Sequence, residues 1–170
     1  DALQLASEDI IVASTGVIGE PLSIDPFATH MEELVTKLSY EGGSDACEGI
    51  MTTDTFKKEF AVSFQLDDKE CHIGGMAKGS GMIHPNMATM LAFLTSDVAI
   101  SSEMLDEVVH KVVNDTFNMV SVDGDTSTND MLCMLANGLA ENEVIQEKGA
   151  AYAVFKDALM DICTEISRHI

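Results

Sequence analysis

Between Gly74 and Leu91 the chain reads Gly-Gly-Met-Ala-Lys-Gly-Ser-Gly-Met-Ile-His-Pro-Asn-Met-Ala-Thr-Met-Leu, and this run concentrates the groups best suited to chemistry. Four glycines within eight residues free the backbone to approach a ligand closely. Lys78, one of only eight lysines, sets a positive charge among amides that can also face an anion. A nucleotide-phosphate loop is excluded, because G-x-x-x-x-G-K-[ST] is absent and Lys78 precedes Gly79-Ser80-Gly81. Taken alone, these glycines read first as a plain turn. Thr89 stands where the run meets an apolar stretch. A threonine hydroxyl is a poor nucleophile that needs a base, and its own α-amine can serve once the preceding peptide bond is cut. An α-amine titrates near pH 7.7–8.0, about where a proton shuttle must work. Spacing alone favours reading Thr89 as a β-branched residue opening a strand.

Three other clusters carry hydrogen-bonding groups. Ser14-Thr15-Gly16 can aim a hydroxyl and an amide at one point, as an oxyanion hole requires, and so can any strand-to-loop turn. Thr52-Thr53-Asp54-Thr55 and Asp123 to Asp130 are polar, but the second lacks the D-x-[DN]-x-[DN]-G frame of a calcium loop and reads as a capped turn. His84 needs no catalytic role. His30, His72, His84, His110 and His169 show no zinc-ligand spacing, and Cys47, Cys71, Cys133 and Cys163 form neither C-x-x-C pairs nor a dense framework. No metal site is expected, and the cysteines read as buried reduced thiols of a cytoplasmic protein.

The elements that must position these groups alternate between strands and helices, giving an α/β or α+β class without repeats or linkers. Ile10 to Ser14 reads as a short strand. Asp25 and Pro26 read as an N-cap and first helical position ahead of a stripe of Phe27, Met31, Leu34, Val35 and Leu38 that Gly42-Gly43 should stop. Phe60, Val62, Phe64 and Leu66 alternate with Ala61, Ser63, Gln65 and Asp67, the period of a half-buried strand. A polar turn returns it through Cys71 and Ile73 as a hairpin, the glycine-rich stretch from Gly74 to Gly81 follows, and Met90 to Leu94 forms a further strand. Leu105, Val108, Val109, Val112, Val113 and Phe117 make a helical stripe with Ser102 as cap. Met131 to Ala136 is a buried strand ended by Asn137-Gly138. Ala151, Val154, Phe155, Ala158, Leu159, Ile162 and Ile166 build a closing amphipathic helix. A chain that stops inside a helix is expected to be a piece of something longer.

Composition bounds the partners. Nine Lys+Arg against 29 Asp+Glu give a formal net charge of −20 over 170 residues, which excludes nucleic acid and anionic membrane surfaces as partners. With 46% apolar residues the chain has enough to fold rather than stay disordered. The longest apolar run, Met87 to Leu94, is too short to span a bilayer, and no signal-peptide pattern opens the sequence.

Ser14-Thr15-Gly16-Val17-Ile18-Gly19, Thr52-Thr53-Asp54-Thr55-Phe56 and above all Lys78 through Leu91 closely resemble the ornithine acetyltransferase family, the glutamate N-acetyltransferases of arginine biosynthesis. The likeness runs in order across nearly the whole chain. It implies a self-cleaving, N-terminal-nucleophile-like fold of layered sheets flanked by helices, with residues 1–170 as the central portion of one catalytic domain. It also implies cleavage between Ala88 and Thr89, with the freed Thr89 as nucleophile and Thr15 and Gly16 as the oxyanion hole. Thr52, Lys78 and Thr89 match the family's substrate-binding positions. The implied substrates are N2-acetylornithine and glutamate, no cofactor is required, and some relatives also accept acetyl-CoA as donor. The implied partners are the remaining segments of the same precursor, in an α2β2 heterotetramer after cleavage. Family members are longer, with a substrate-binding glutamate expected beyond Ile170 and a C-terminal asparagine, and here Ala88 and Thr89 stand in one continuous chain. Two other readings stay open: a related self-cleaving aminopeptidase, whose nucleophile is usually serine, and an inert fragment of the acetyltransferase.

Overall fold

The computed structural model describes residues 2–16, 19–79, 90–120, 127 and 129–170. Ala88, Thr89, His84 and most of the Asp123 to Asp130 turn lie outside the described residues.

The chain enters through an irregular segment and a helix, α1 (Asp25–Thr36), followed by a second helix, α2 (Gly43–Met51). A hairpin of β1 (Lys58–Leu66) and β2 (Lys69–Lys78) turns at Asp67-Asp68, and β3 (Leu91–Ser96) adds to it. Helix α3 (Ser102–Asp115) leads to β4 (Met131–Ala136), and α4 (Ala150–Arg168) closes the fold. The four strands form one sheet in sequence order, antiparallel from β1 to β3, with β4 parallel to β3. A parallel neighbour requires a crossover, and α3 supplies it.

The register decides which side chains share a face. Phe60 lies opposite Gly75, Val62 opposite Ile73, Gly75 opposite Leu94, and Leu94 opposite Met134. This is the face on which α4 lies, presenting Phe155, Leu159, Ile162 and Ile166, all buried in one cluster with Ile73, Ala77, Ala92 and Leu94. Phe64 meets the Phe155 ring at 6.1 Å between centroids. Helix α3 packs alongside and adds Met104, Val108 and Val112. Gly75 is required by this packing: a Cβ there would overlap Leu94 Cδ2 and reach 2.8 Å from Ile166 Cδ1.

The β1–β2 hairpin, the Met131 to Ala136 strand and the closing helix form where the patterns place them, but the strand is half-buried and not buried, with Leu135 exposed. Several expectations are corrected. Ile10 to Ser14 is not a strand; Ile10, Ile11 and Val12 are exposed and no described strand pairs with them, so an apolar run alone could not complete a ladder. Gly42-Gly43 does not stop α1, which ends at Thr36; the two glycines instead join a 3-10 turn (Tyr40–Gly42) to α2, a helix disguised by its own Gly43 and Gly49. Asp25 is the first helical residue and not the cap; Ser23 Oγ accepts its N–H at 3.3 Å. Ser101, not Ser102, caps α3, its Oγ accepting the Met104 N–H at 3.3 Å. Nor is Gly74 to Gly81 a free loop from its start: Gly74 and Gly75 are mid-strand and Lys78 is the last residue of β2. Cross-strand pairing to Leu94 and Thr95 outweighs the glycines' conformational freedom.

Candidate active site

Because β2 runs against both its neighbours, its last residues share one edge of the sheet with the first residues of β1, β3 and β4. Lys58 lies opposite Ala77, Lys78 opposite Leu91, and Leu91 opposite Met131. The segment 80–89 therefore leaves the described chain at Gly79 and rejoins it at Met90, two residues so close that a Cβ on Gly79 would stand 3.7 Å from Met90 Cα.

A buried carboxylate organises this edge. After α2 the backbone reverses at Thr52 with φ 53° and ψ −101°, a region that a β-branched residue rarely adopts. The reversal carries Asp54 inward until its side chain is 2% exposed. Asp54 Oδ1 accepts the Thr55 N–H at 2.8 Å, while Oδ2 accepts the Gly79 N–H at 3.2 Å and pairs with Lys58 Nζ at 2.5 Å. Lys58 is 1% exposed, lies 4.1 Å from the Phe56 ring centroid, and accepts the Cys47 thiol on its carbonyl at 3.8 Å. Burial alone would push the Asp54 carboxyl up. The hydrogen bonds from Lys58 and Gly79, the Lys58 charge and the Thr55 amide outweigh it and hold the carboxyl below the usual aspartate range.

Lys78 is 3% exposed at the same edge. Burial pulls its ammonium below the ordinary lysine range, opposed by the charges of Asp54 and Asp130. Asp130 in turn holds the start of β3, its Oδ1 accepting the Met90 N–H at 2.8 Å, while Met131 N–H donates to Met90 carbonyl at 3.0 Å. The residue joined to Thr89 is thus fixed on both its backbone groups. The family model of the ArgJ family matches residues 1–170.

The chain belongs to the ArgJ family. It is 49% identical over 170 residues to the arginine biosynthesis bifunctional protein ArgJ of Symbiobacterium thermophilum, a match covering 100% of this chain and 42% of that protein. The ArgJ protein of Staphylococcus aureus is 47% identical over 169 residues, covering 99% and 40% of the two. A crystal structure of arginine biosynthesis bifunctional protein ArgJ from Bacillus halodurans is 42% identical, covers 48% of this chain and 38% of that one, and has a TM-score of 0.46. This ArgJ-family chain spans about two fifths of the length of the curated relatives it matches.

Of the residues singled out in the sequence, the Thr52 to Thr55 turn is tied to the end of β2 at the residue after Lys78, by the Gly79 N–H bond to Asp54. Thr52 itself is exposed at the reversal. Thr15 is half-buried and Gly16 exposed on the segment ahead of α1, where Leu22 Cδ1 is the atom nearest a Cβ at Gly16, 3.9 Å away; no described residue of the sheet edge is hydrogen-bonded to either. The pairing of Asp54 with Lys58 escaped the sequence reading, although a signal for it existed. Position 58 has the same parity as Phe60, Val62 and Phe64, so a lysine there falls on the inward face of a strictly alternating strand and needs a buried counter-ion. Among the described residues no group of three His, Cys, Asp or Glu could hold a metal ion. The thiols offer no nucleophile: burial pushes Cys163 up to about 12 and raises Cys47, Cys71 and Cys133 as well.

Proposed function

We propose that this chain carries the acetyl-transfer centre of a glutamate N-acetyltransferase of arginine biosynthesis, as the central part of one catalytic domain. The observation that carries the reading is the family match over residues 1–170 to proteins named for arginine biosynthesis, and the sheet edge around Asp54 supports it. Cleavage between Ala88 and Thr89 gives Thr89 a free amine. That amine takes the proton from Thr89 Oγ as the oxygen attacks the acetyl carbonyl of N2-acetylornithine. The Thr15 hydroxyl and Gly16 N–H hold the developing oxyanion. The tetrahedral adduct collapses, the C–N bond breaks, ornithine leaves with the proton, and the acetyl group remains as an ester on Thr89. Glutamate then enters, its amine attacks the ester, and N-acetylglutamate forms as Thr89 Oγ regains its proton. Lys78 pairs with the α-carboxylate common to both amino acids, and the Thr52 hydroxyl contacts the substrate. One amide replaces another, so the relay needs no energy input or cofactor; acetyl-CoA is an alternative donor in a bifunctional enzyme.

The partners in this reading are the small-molecule substrates and the remaining segments of the same precursor, assembled as an α2β2 heterotetramer. The described chain supports such docking, because the sheet face opposite α4 leaves Leu135 exposed, and so are Phe27, Leu34 and Leu38 of α1. No described helix is long and apolar enough to cross a membrane. The test is to incubate the intact natural protein with acetyl-labelled N2-acetylornithine and glutamate. Labelled N-acetylglutamate is expected; labelled free acetate would instead identify a hydrolase, and no product an inert scaffold.

A further inference from the structure

Three buried charges lie on the segments that come together where β2 ends, joined by the Lys58–Asp54 pair and the Gly79 N–H bond to Asp54, and they do not cancel. Lys58 and Lys78 are 1% and 3% exposed, and Asp54 is the buried carboxylate between their segments. A buried charge needs a partner, and one carboxylate can neutralise only one ammonium. The structure gives that partnership to Lys58, which is held in place by the Phe56 ring on one side and by its strand register with Ala77 on the other. The second oxygen contact on Oδ2 is the Gly79 N–H, and Oδ1 is taken by Thr55. Asp130, the other described carboxylate whose charge Lys78 feels, is exposed and screened by water, with Oδ1 engaged by Met90. Among the described residues the buried trio therefore keeps one uncompensated positive charge, in a chain whose formal net charge is −20.

We propose that Asp54 is a positioning residue of the acetyl-transfer site, and that its pairing with Lys58 reserves the Lys78 ammonium for the substrate carboxylate. The inference rests on the reading of Lys78 given above and deepens it. Lys58 is a counter-ion that never meets substrate: it occupies Asp54 so that Lys78 cannot. The Gly79 N–H bond adds geometry to charge, because it pins the residue after Lys78 to the same carboxylate and so fixes where the ammonium can reach. An incoming monoanion such as an amino-acid α-carboxylate then completes the charge balance of the edge.

The experiment compares Lys58→Met, Asp54→Asn and the double variant in the intact natural protein, reading KM and kcat for N2-acetylornithine and glutamate together with thermal melting. Lys58→Met frees Asp54 to capture Lys78, so KM for both amino acids is expected to rise about tenfold while kcat stays within about twofold. In the double variant the single amide oxygen accepts the Gly79 N–H, the exposed Thr55 N–H turns to water, and no buried carboxylate competes, so KM is expected to return to within about threefold of the starting protein. A folded Lys58→Met with unchanged KM overturns the proposal. If that variant does not fold, the double variant decides, and a KM raised tenfold or more in it overturns the proposal equally. A starting protein that makes no N-acetylglutamate removes the functional reading and this inference together, whereas an active one with unchanged KM in Lys58→Met removes the inference alone.

Discussion

A carboxylate that accepts hydrogen bonds from Lys58, Gly79 and Thr55 cannot be removed without orphaning three donors. Asp54→Ala leaves two buried ammonium groups without it, and a loss of about 3–5 kcal/mol is expected in chemical denaturation, the range for breaking a buried ion pair from one side. Lys78 carries a separate prediction. Burial has already lowered its pKa below the ordinary 10.5, so in the proposed site the charged form that would bind a carboxylate is lost as pH rises through that depressed value. KM for the amino acids should therefore be flat at lower pH and climb before an ordinary lysine would titrate. A KM profile without that alkaline rise would take Lys78 out of the substrate site. Thr52 bears a different sign of function, since a β-branched residue at φ 53° costs about 1–3 kcal/mol and persists only where surroundings enforce it.

At the scale of elements, the contact between α4 and the sheet depends on one missing side chain. Gly75→Val drives methyl groups into Leu94 and Ile166 and forces α4 off the hairpin, with an expected loss of about 1–3 kcal/mol measured by denaturant titration. On the other face of β1, Ala61 and Ser63 are exposed, so larger side chains there meet little packing. The hairpin and α4 were legible because a strict period of two and a long 3.6-residue stripe are each produced by a single buried face. Helix α2 was not, because a nine-residue element with two glycines carries too few periodic positions, and only Cys47 in it is buried. The Ile10 to Ser14 run failed for the opposite reason: its composition suits a strand, but a strand is a relation between two segments, and no described segment answers it.

For the whole molecule, the sheet is covered on the side of α4 and α3, while exposed apolar residues remain on the N-terminal segment and α1, Val12 at 79% among them. Leu135, on the sheet face opposite α4, is exposed as well. The isolated chain is expected to bind a hydrophobic dye such as ANS much more strongly than the intact natural protein does; equal fluorescence would mean that these surfaces stay open in the assembly. The intact protein is expected to yield a second polypeptide beginning at Thr89, seen as two masses, and Thr89→Ala to abolish both the cut and acetyl transfer. An active preparation with a single uncut mass would remove Thr89 as an N-terminal nucleophile.

By itself, the sequence determined the mixed class, the hairpin, the closing helix and the candidate chemistry around Lys78, since periodicity and residue type are properties of neighbouring positions. Only the tertiary structure decided that the ends of β2 and the starts of the other strands meet, and that Asp54, 24 positions before Lys78 in the chain, shares a buried edge with it. Hydrogen bonds between residues so far apart in the chain leave no periodic trace. They exist because antiparallel pairing folds the two segments onto one edge, where burial then makes each charge answer to the others.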